Sequence, residues 1–200
     1  MHATIPSKPV NANRFAWRIV DIVTAAVLGI AGGVLFFAGD IAYTPLSVFL
    51  GVTPGLEGLT AAFWLFMPVL GGLIIRKPGA AVVVSIIAAI VEMAFFPGWG
   101  PMTIVVALVQ GIGAEAGIAI FGYASSRLSA AIVSGALAGV ANAAVCLVLY
   151  YPTLTFEVAA IYTVSAIVSG VVLAGILAFI VAKALAKTGA LARFPLGKTA

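Results

Sequence analysis

The chain has 200 residues, 64% of them hydrophobic and only 8% charged, with a formal net charge of +4. A soluble domain carries about a quarter charged residues, so the composition excludes an ordinary soluble fold. One cysteine and one histidine also exclude a disulfide framework and a zinc site of the usual ligand types, and no metal or resident cofactor is expected.

Apolar runs of roughly 20 residues are long enough to cross a bilayer core of about 30 Å. None shows the alternation of a barrel strand, so an all-α bundle of six transmembrane helices is predicted. Residues 1–18 read as a polar N-terminal tail carrying His2, Lys8, Arg14 and Arg18. The first span runs from Ile19 to Ala38 and is too long for the core of a signal peptide. Ala25, Gly29 and Gly33 recur every fourth residue within it, as do Thr24, Leu28 and Gly32. Small residues at that spacing let helix backbones approach closely, either inside this bundle or as a docking face for another membrane protein. Ile41–Val52 is apolar but short, with Pro45 inside and Pro54 just beyond. It reads as an outer loop or re-entrant piece, and Ile41–Pro54 as a candidate lid.

The second span is Leu56–Ile75, the third Gly79–Phe96, the fourth Pro101–Tyr123, the fifth Arg127–Tyr151 and the sixth Val158–Ala186. Turn residues separate them, as at Lys77-Pro78-Gly79, at 97–101 and at Tyr151-Pro152. The transmembrane domain then covers 19–187, and 188–200 is a tail expected to be flexible beyond Gly189. Gly197-Lys198-Thr199 mimics the end of a phosphate-binding loop, but that loop needs a glycine where Ala192 stands. No ATPase activity of its own is expected, and any uphill transport draws on a partner or an ion gradient.

Lys and Arg accumulate in cytoplasmic loops. Arg14 and Arg18, Arg76 and Lys77, Arg127, and Lys183, Lys187, Arg193 and Lys198 all fall on one side of a six-span layout. That places both termini in the cytoplasm of a multi-pass plasma-membrane protein. Asp40, Glu57 and Glu157 fall on the opposite side. Scattered cations at helix ends form no basic groove with stacking aromatics, so nucleic acid is not expected as a partner, whereas membrane lipid is.

Acids inside a membrane are costly and mark ligand or ion sites. Glu92 lies about 6 Å from the outer end of its span, Glu115 about 21 Å below Pro101, and Asn142 about 14 Å below Tyr151. With Gln110, Glu57, Trp64 and Trp99 they make an outward-biased polar and aromatic set. No Lys or Arg is positioned in the spans beside these acids. The expected ligand is therefore cationic or rich in donors, since carboxylates accept from amino groups and indole faces attract cations. Blander roles stand beside this reading: an aromatic belt for Trp99, Tyr43, Tyr150 and Tyr151, a helix-start carboxylate for Glu57, interhelical hydrogen bonds for Gln110 and Asn142, and a protonated structural role for Glu115.

Several segments together resemble a known family: Trp17-Arg18-Ile19-Val20-Asp21-Ile22-Val23, Arg76-Lys77-Pro78-Gly79-Ala80-Ala81, Val91-Glu92, Gly98-Trp99-Gly100 and Gln110-Gly111-Ile112-Gly113-Ala114-Glu115. The chain resembles the YkoE-type S components of energy-coupling factor transporters, over about Trp17 to Ala182. The resemblance implies a six-helix S-component fold with an outward vitamin pocket for thiamine or its hydroxymethylpyrimidine precursor. It implies as partners a transmembrane coupling protein and cytoplasmic ATPase subunits, with docking to the coupling protein through Ala25, Gly29 and Gly33. A secondary transporter for a small cationic or heteroaromatic solute, and a membrane subunit that transports nothing, remain open on the residues alone. An enzyme is not expected.

Overall fold

The computed structural model describes residues 14–95, 97–125 and 127–198. Helix α1 spans Ile19–Leu50, and a 3-10 turn over Leu56–Ala61 runs into α2, Ala62–Ile75. Helix α3 covers Ala80–Phe95, a 3-10 turn Pro97–Trp99, α4 Met102–Ile120 and α5 Leu128–Leu149. The sixth crossing is α6, Phe156–Ser169, continued by a π-helical segment, Gly170–Leu177, and then α7, Ala178–Lys187. The all-helical expectation holds. Five of these stretches are long and apolar enough to span a membrane, with α3 as a shorter apolar helix.

The first helix departs from the sequence reading. Ile41–Leu50 is neither a loop nor a re-entrant piece but the continuation of α1 through Pro45. Proline removes one backbone donor, a loss that membrane helices tolerate. The chain stops being α-helical only at Gly51, whose N–H reaches Ser47 O at 2.8 Å, and turns at Gly55, which has φ 95°. At 1.5 Å per residue α1 is about 48 Å long, more than a bilayer core, so it tilts or projects.

Helix α2 is the centre of the bundle, with Leu65, Val69, Leu73, Ile74 and Ile75 buried. Its junction with the 3-10 turn is held from the sixth crossing: the Ser169 hydroxyl accepts from Ala62 N–H at 3.0 Å and donates to Leu59 O at 2.6 Å. Lipid supplies no such partners, so side chains must satisfy an irregular backbone.

Glycine sets how closely the helices approach. A Cβ on Gly33 would lie 2.4 Å from Val91 Cβ, and one on Gly135 would lie 2.1 Å from Gly170 O. The small-residue stripe of α1 therefore faces α3. Ala25 is 1% exposed, and Gly29 and Gly33 are buried against Ile87 and Val91. This corrects the expectation of a docking face at Ala25, Gly29 and Gly33: dispersion contacts between closely packed backbones already use that face. The outward side of α1 is instead Ile19, Val23, Val27, Ile30 and Val34.

The basic end is knitted together by one carboxylate. Asp21 is 0% exposed and accepts from Arg18 Nη2 at 2.8 Å, from Arg18 N–H at 2.8 Å and from Lys77 Nζ at 2.6 Å. Lys77 also reaches Ala16 O, Trp17 Nε1 donates to Pro78 O at 3.1 Å, and Arg76 donates to the carbonyls of Tyr123 and Ala124. The C-terminal segment is docked here rather than loose. Leu191, Phe194 and Leu196 are buried, and the Arg18 guanidinium lies 5.8 Å from the Phe194 ring centre. Apolar side chains spaced along 191–196 explain why this segment packs where a flexible tail was expected. His2, Lys8 and Thr199 lie outside the described residues.

Valine at Gly33 cannot be accommodated without moving α1 from α3, an overpacking that costs about 1–3 kcal/mol. Gly33→Val is expected to lower the thermal unfolding midpoint of the isolated protein in detergent, whereas Val34→Ala on the exposed face leaves it nearly unchanged. An unchanged midpoint for Gly33→Val would return this stripe to a docking role.

Candidate functional site

At the end opposite the basic network, all six crossings contribute to one cavity of about 80 Å³. Phe36 and Tyr43 come from α1, Thr60 and Ala61 from the 3-10 turn, Trp64 from α2 and Glu92 from α3. Trp99 comes from the short turn before α4, and Thr103, Val106, Ala107 and Gln110 from α4 itself. Asn142 and Cys146 come from α5, Tyr150 and Tyr151 follow it, and Tyr162 belongs to α6.

The polar groups are paired in a consistent way. Trp64 Nε1 donates to Glu92 Oε1 at 2.7 Å, Trp99 Nε1 donates to Asp40 Oδ1 at 2.7 Å, and Gln110 Nε2 donates to Asn142 Oδ1 at 2.7 Å. Each bond leaves something over. Asp40 Oδ2, Glu92 Oε2 and Asn142 Nδ2 are buried with no hydrogen-bond partner. Glu92 is 1% exposed and Asp40 6% exposed, and the two carboxyls lie within electrostatic reach of each other. No Lys or Arg lines the cavity. A buried polar atom without a partner costs about 1–3 kcal/mol. Glu92 and Asn142 line the cavity, so a ligand there that offers a donor to Glu92 Oε2 and an acceptor to Asn142 Nδ2 recovers that cost at those two atoms.

Aromatic rings form the rest of the wall. Tyr43 packs edge-on against Trp64 at 6.1 Å and against Trp99 at 5.5 Å, and Trp99 meets Tyr150 at 5.7 Å. The hydroxyls of Tyr43 and Tyr151 are hydrogen-bonded at 2.8 Å, tying the outer part of α1 to the end of α5. Small-molecule sites are usually about 300–1,000 Å³. A ring-sized ligand therefore needs the cavity to widen.

Five sequence-predicted residues meet here: Trp64, Glu92, Trp99, Gln110 and Asn142. Two do not, and both have other partners. Glu115 lies at the basic end, where its oxygens accept from Gly79 N–H at 2.9 Å and Ala81 N–H at 2.8 Å. It satisfies donors at the start of α3, where the helix dipole favours negative charge. Glu57 accepts from Gly55 N–H at 2.8 Å and stabilises the turn before α2. Asp40 was placed in an outer loop by the sequence reading, and Tyr43 in an aromatic belt. Both misplacements follow from ending the first helix at Ala38. The spacing Gly29, Gly32, Gly33, Phe36, Gly39, Asp40, Tyr43 continues one helix face and carries the missing signal. Cys146 and Tyr162 had no sequence signal beyond their apolar surroundings.

A family model described as "ABC-type cobalt transport system, permease component" matches residues 20–141. The protein named "Putative HMP/thiamine permease protein YkoE" of Bacillus subtilis (strain 168) is 34% identical over 189 residues, covering 92% of each chain. A solved structure titled "Crystal structure of an S-component of ECF transporter" superposes with a TM-score of 0.85 at 32% identity, covering 92% of this chain and 93% of that one.

Cys146 is the sole cysteine of the chain and lines the cavity, so its alkylation reads how often the site opens. Tyr43→Phe removes the hydroxyl bridge but keeps the ring. Loss of a bond of about 1 kcal/mol should raise the rate of Cys146 labelling by N-methylmaleimide roughly fivefold. An unchanged rate would show that the tyrosine pair does not close the site.

Proposed function

The chain belongs to the S components of energy-coupling factor transporters, substrate-binding subunits of the plasma membrane, and we propose that its aromatic cavity captures thiamine, or the hydroxymethylpyrimidine precursor of thiamine, for import. The observation that carries this reading is the buried carboxyl of Glu92, which lines the cavity with the carboxyl of Asp40 close by. Each is held by an indole N–H through one oxygen, the two carboxyls interact with each other, and no cationic side chain lines the cavity. An aminopyrimidine offers an amino group to Glu92 Oε2 and a ring nitrogen to Asn142 Nδ2. The thiazolium of thiamine brings the positive charge that the carboxyls lack and lies against the faces of Trp64 or Trp99, with Gln110 holding Asn142 in place. Charge-assisted hydrogen bonds and cation–π contact are strongest where water is excluded. The relative whose name includes HMP and thiamine supports the same substrate class.

Cobalt, which appears in the family description, finds no matching donors. Among the described residues no group of three or more His, Cys, Asp and Glu side chains is placed to hold a metal ion. The positive-inside rule puts the basic end in the cytoplasm and the cavity outside, with both termini cytoplasmic. The cycle then runs from capture outside, through closure of the tyrosine pair, to reorientation driven by ATP hydrolysis in partner subunits bound through a transmembrane coupling protein. With the stripe at Ala25, Gly29 and Gly33 occupied internally, the exposed branched residues of α1 are the surface left for that protein.

Titration of the detergent-solubilised protein with thiamine should quench tryptophan fluorescence saturably, with hydroxymethylpyrimidine competing. Glu92→Gln should raise Kd at least tenfold, about 1.4 kcal/mol, and Glu115→Gln should leave it within about twofold. The reverse ranking would overturn the site. The absence of quenching by either compound in a monodisperse sample would overturn the substrate and leave the S-component fold standing.

A further inference from the structure

A second cavity, of about 690 Å³, opens at the basic end, far from the aromatic one. Five cationic side chains from separate segments line it: Arg14 and Arg18 ahead of α1, Arg76 and Lys77 at the turn between α2 and α3, and Arg193 in the C-terminal segment. The acids at this end are already engaged. Asp21 is held by Arg18 and Lys77, and Glu115 by two backbone N–H groups. Among the described residues Arg14, Arg76 and Arg193 form no ion pair. Arg14 spends a donor on Gly122 O, and Arg76 spends donors on Tyr123 O and Ala124 O. A guanidinium has five N–H donors, so most of theirs remain.

The cations also crowd one another. Burial, and then the charge of Arg14, pull Arg76 below its ordinary pKa. Like charges collected around one hollow are unfavourable unless an anion joins them. The positive-inside rule explains why Lys and Arg sit at this end. It does not require them to converge on a cavity from three places in the sequence.

The geometry points to a binding site for one phosphate group, supplied as the headgroup of an anionic phospholipid. The cavity adjoins the start of α1, where Ile19 is 82% exposed and Ile22, Val23 and Val27 continue the apolar face. A lipid whose phosphate enters the cavity lays its acyl chains along that face. Soluble phosphate uses the cations alone. Trp17, half-buried with its indole N–H on Pro78 O, lies in the same segment as Arg14 and Arg18, and amphipathic aromatics of this kind favour the headgroup level.

The test uses the full chain, delipidated in detergent, with phosphatidylglycerol, phosphatidylcholine or inorganic phosphate added. Native mass spectrometry should retain one phosphatidylglycerol in preference to phosphatidylcholine, and the thermal midpoint should rise with phosphatidylglycerol only. The double variant Arg14→Gln with Arg193→Gln spares the Asp21 pairs. It should lose at least about tenfold of that preference, with gel-filtration profile and helical circular dichroism unchanged. An equal rise with inorganic phosphate would overturn the lipid as the source and keep the phosphate site. No preference for phosphatidylglycerol, or a preference intact in the folded double variant, would overturn the site itself.

Discussion

A carboxyl group inside a membrane bundle must find a partner, because lipid offers none. This constraint divides the molecule into two ends. At the basic end Asp21 is bonded to Arg18 and Lys77, and Glu115 to two backbone N–H groups. At the opposite end Asp40 and Glu92 each receive one indole N–H and keep one oxygen unpartnered. The first arrangement is complete and holds helix ends together. The second is incomplete, and Glu92 of that pair lines the aromatic cavity.

The scaffold makes that incompleteness tolerable. Helix α2 fills the centre, and glycines on α1, α4 and α5 bring the surrounding helices into close contact. Interiors packed this closely do not collapse to fill a small gap, so the cavity persists with its polar atoms in place. The outer part of α1, the end of α5 and the start of α6 then close over it through Tyr43, Tyr151 and Tyr162.

The two ends differ in how their segments are linked. The Asp21 network links the start of α1 to the turn between α2 and α3, and Arg18 adds the C-terminal segment. Arg76 adds the turn after α4. These links let the helices move as one body. The indole–carboxyl bonds confine local adjustment to the ligand end.

Much of this was readable in the residues. Apolar run lengths gave the class and the number of crossings, since hydrogen bonding in lipid permits little else. Basic residues marked one end of the bundle, and burial cost singled out Glu92 and Glu115 as functional, of which only Glu92 lines the cavity. Spacing alone could not say which partner each acid meets. Glu115 and Glu92 look alike in sequence, yet one faces the start of α3 and the other faces indoles and a cavity. The same limit applies to Ala25, Gly29 and Gly33, whose pattern fits any close helix contact until α3 is seen to occupy it. Asp40 was hidden because a proline five residues on suggested an earlier helix end. The sequence by itself determined the membrane bundle, its crossings and the end where cations gather, because those follow from transfer free energies along the chain. Only the tertiary structure decided which buried carboxyl is fully bonded and which lines a cavity, because that depends on which helices meet.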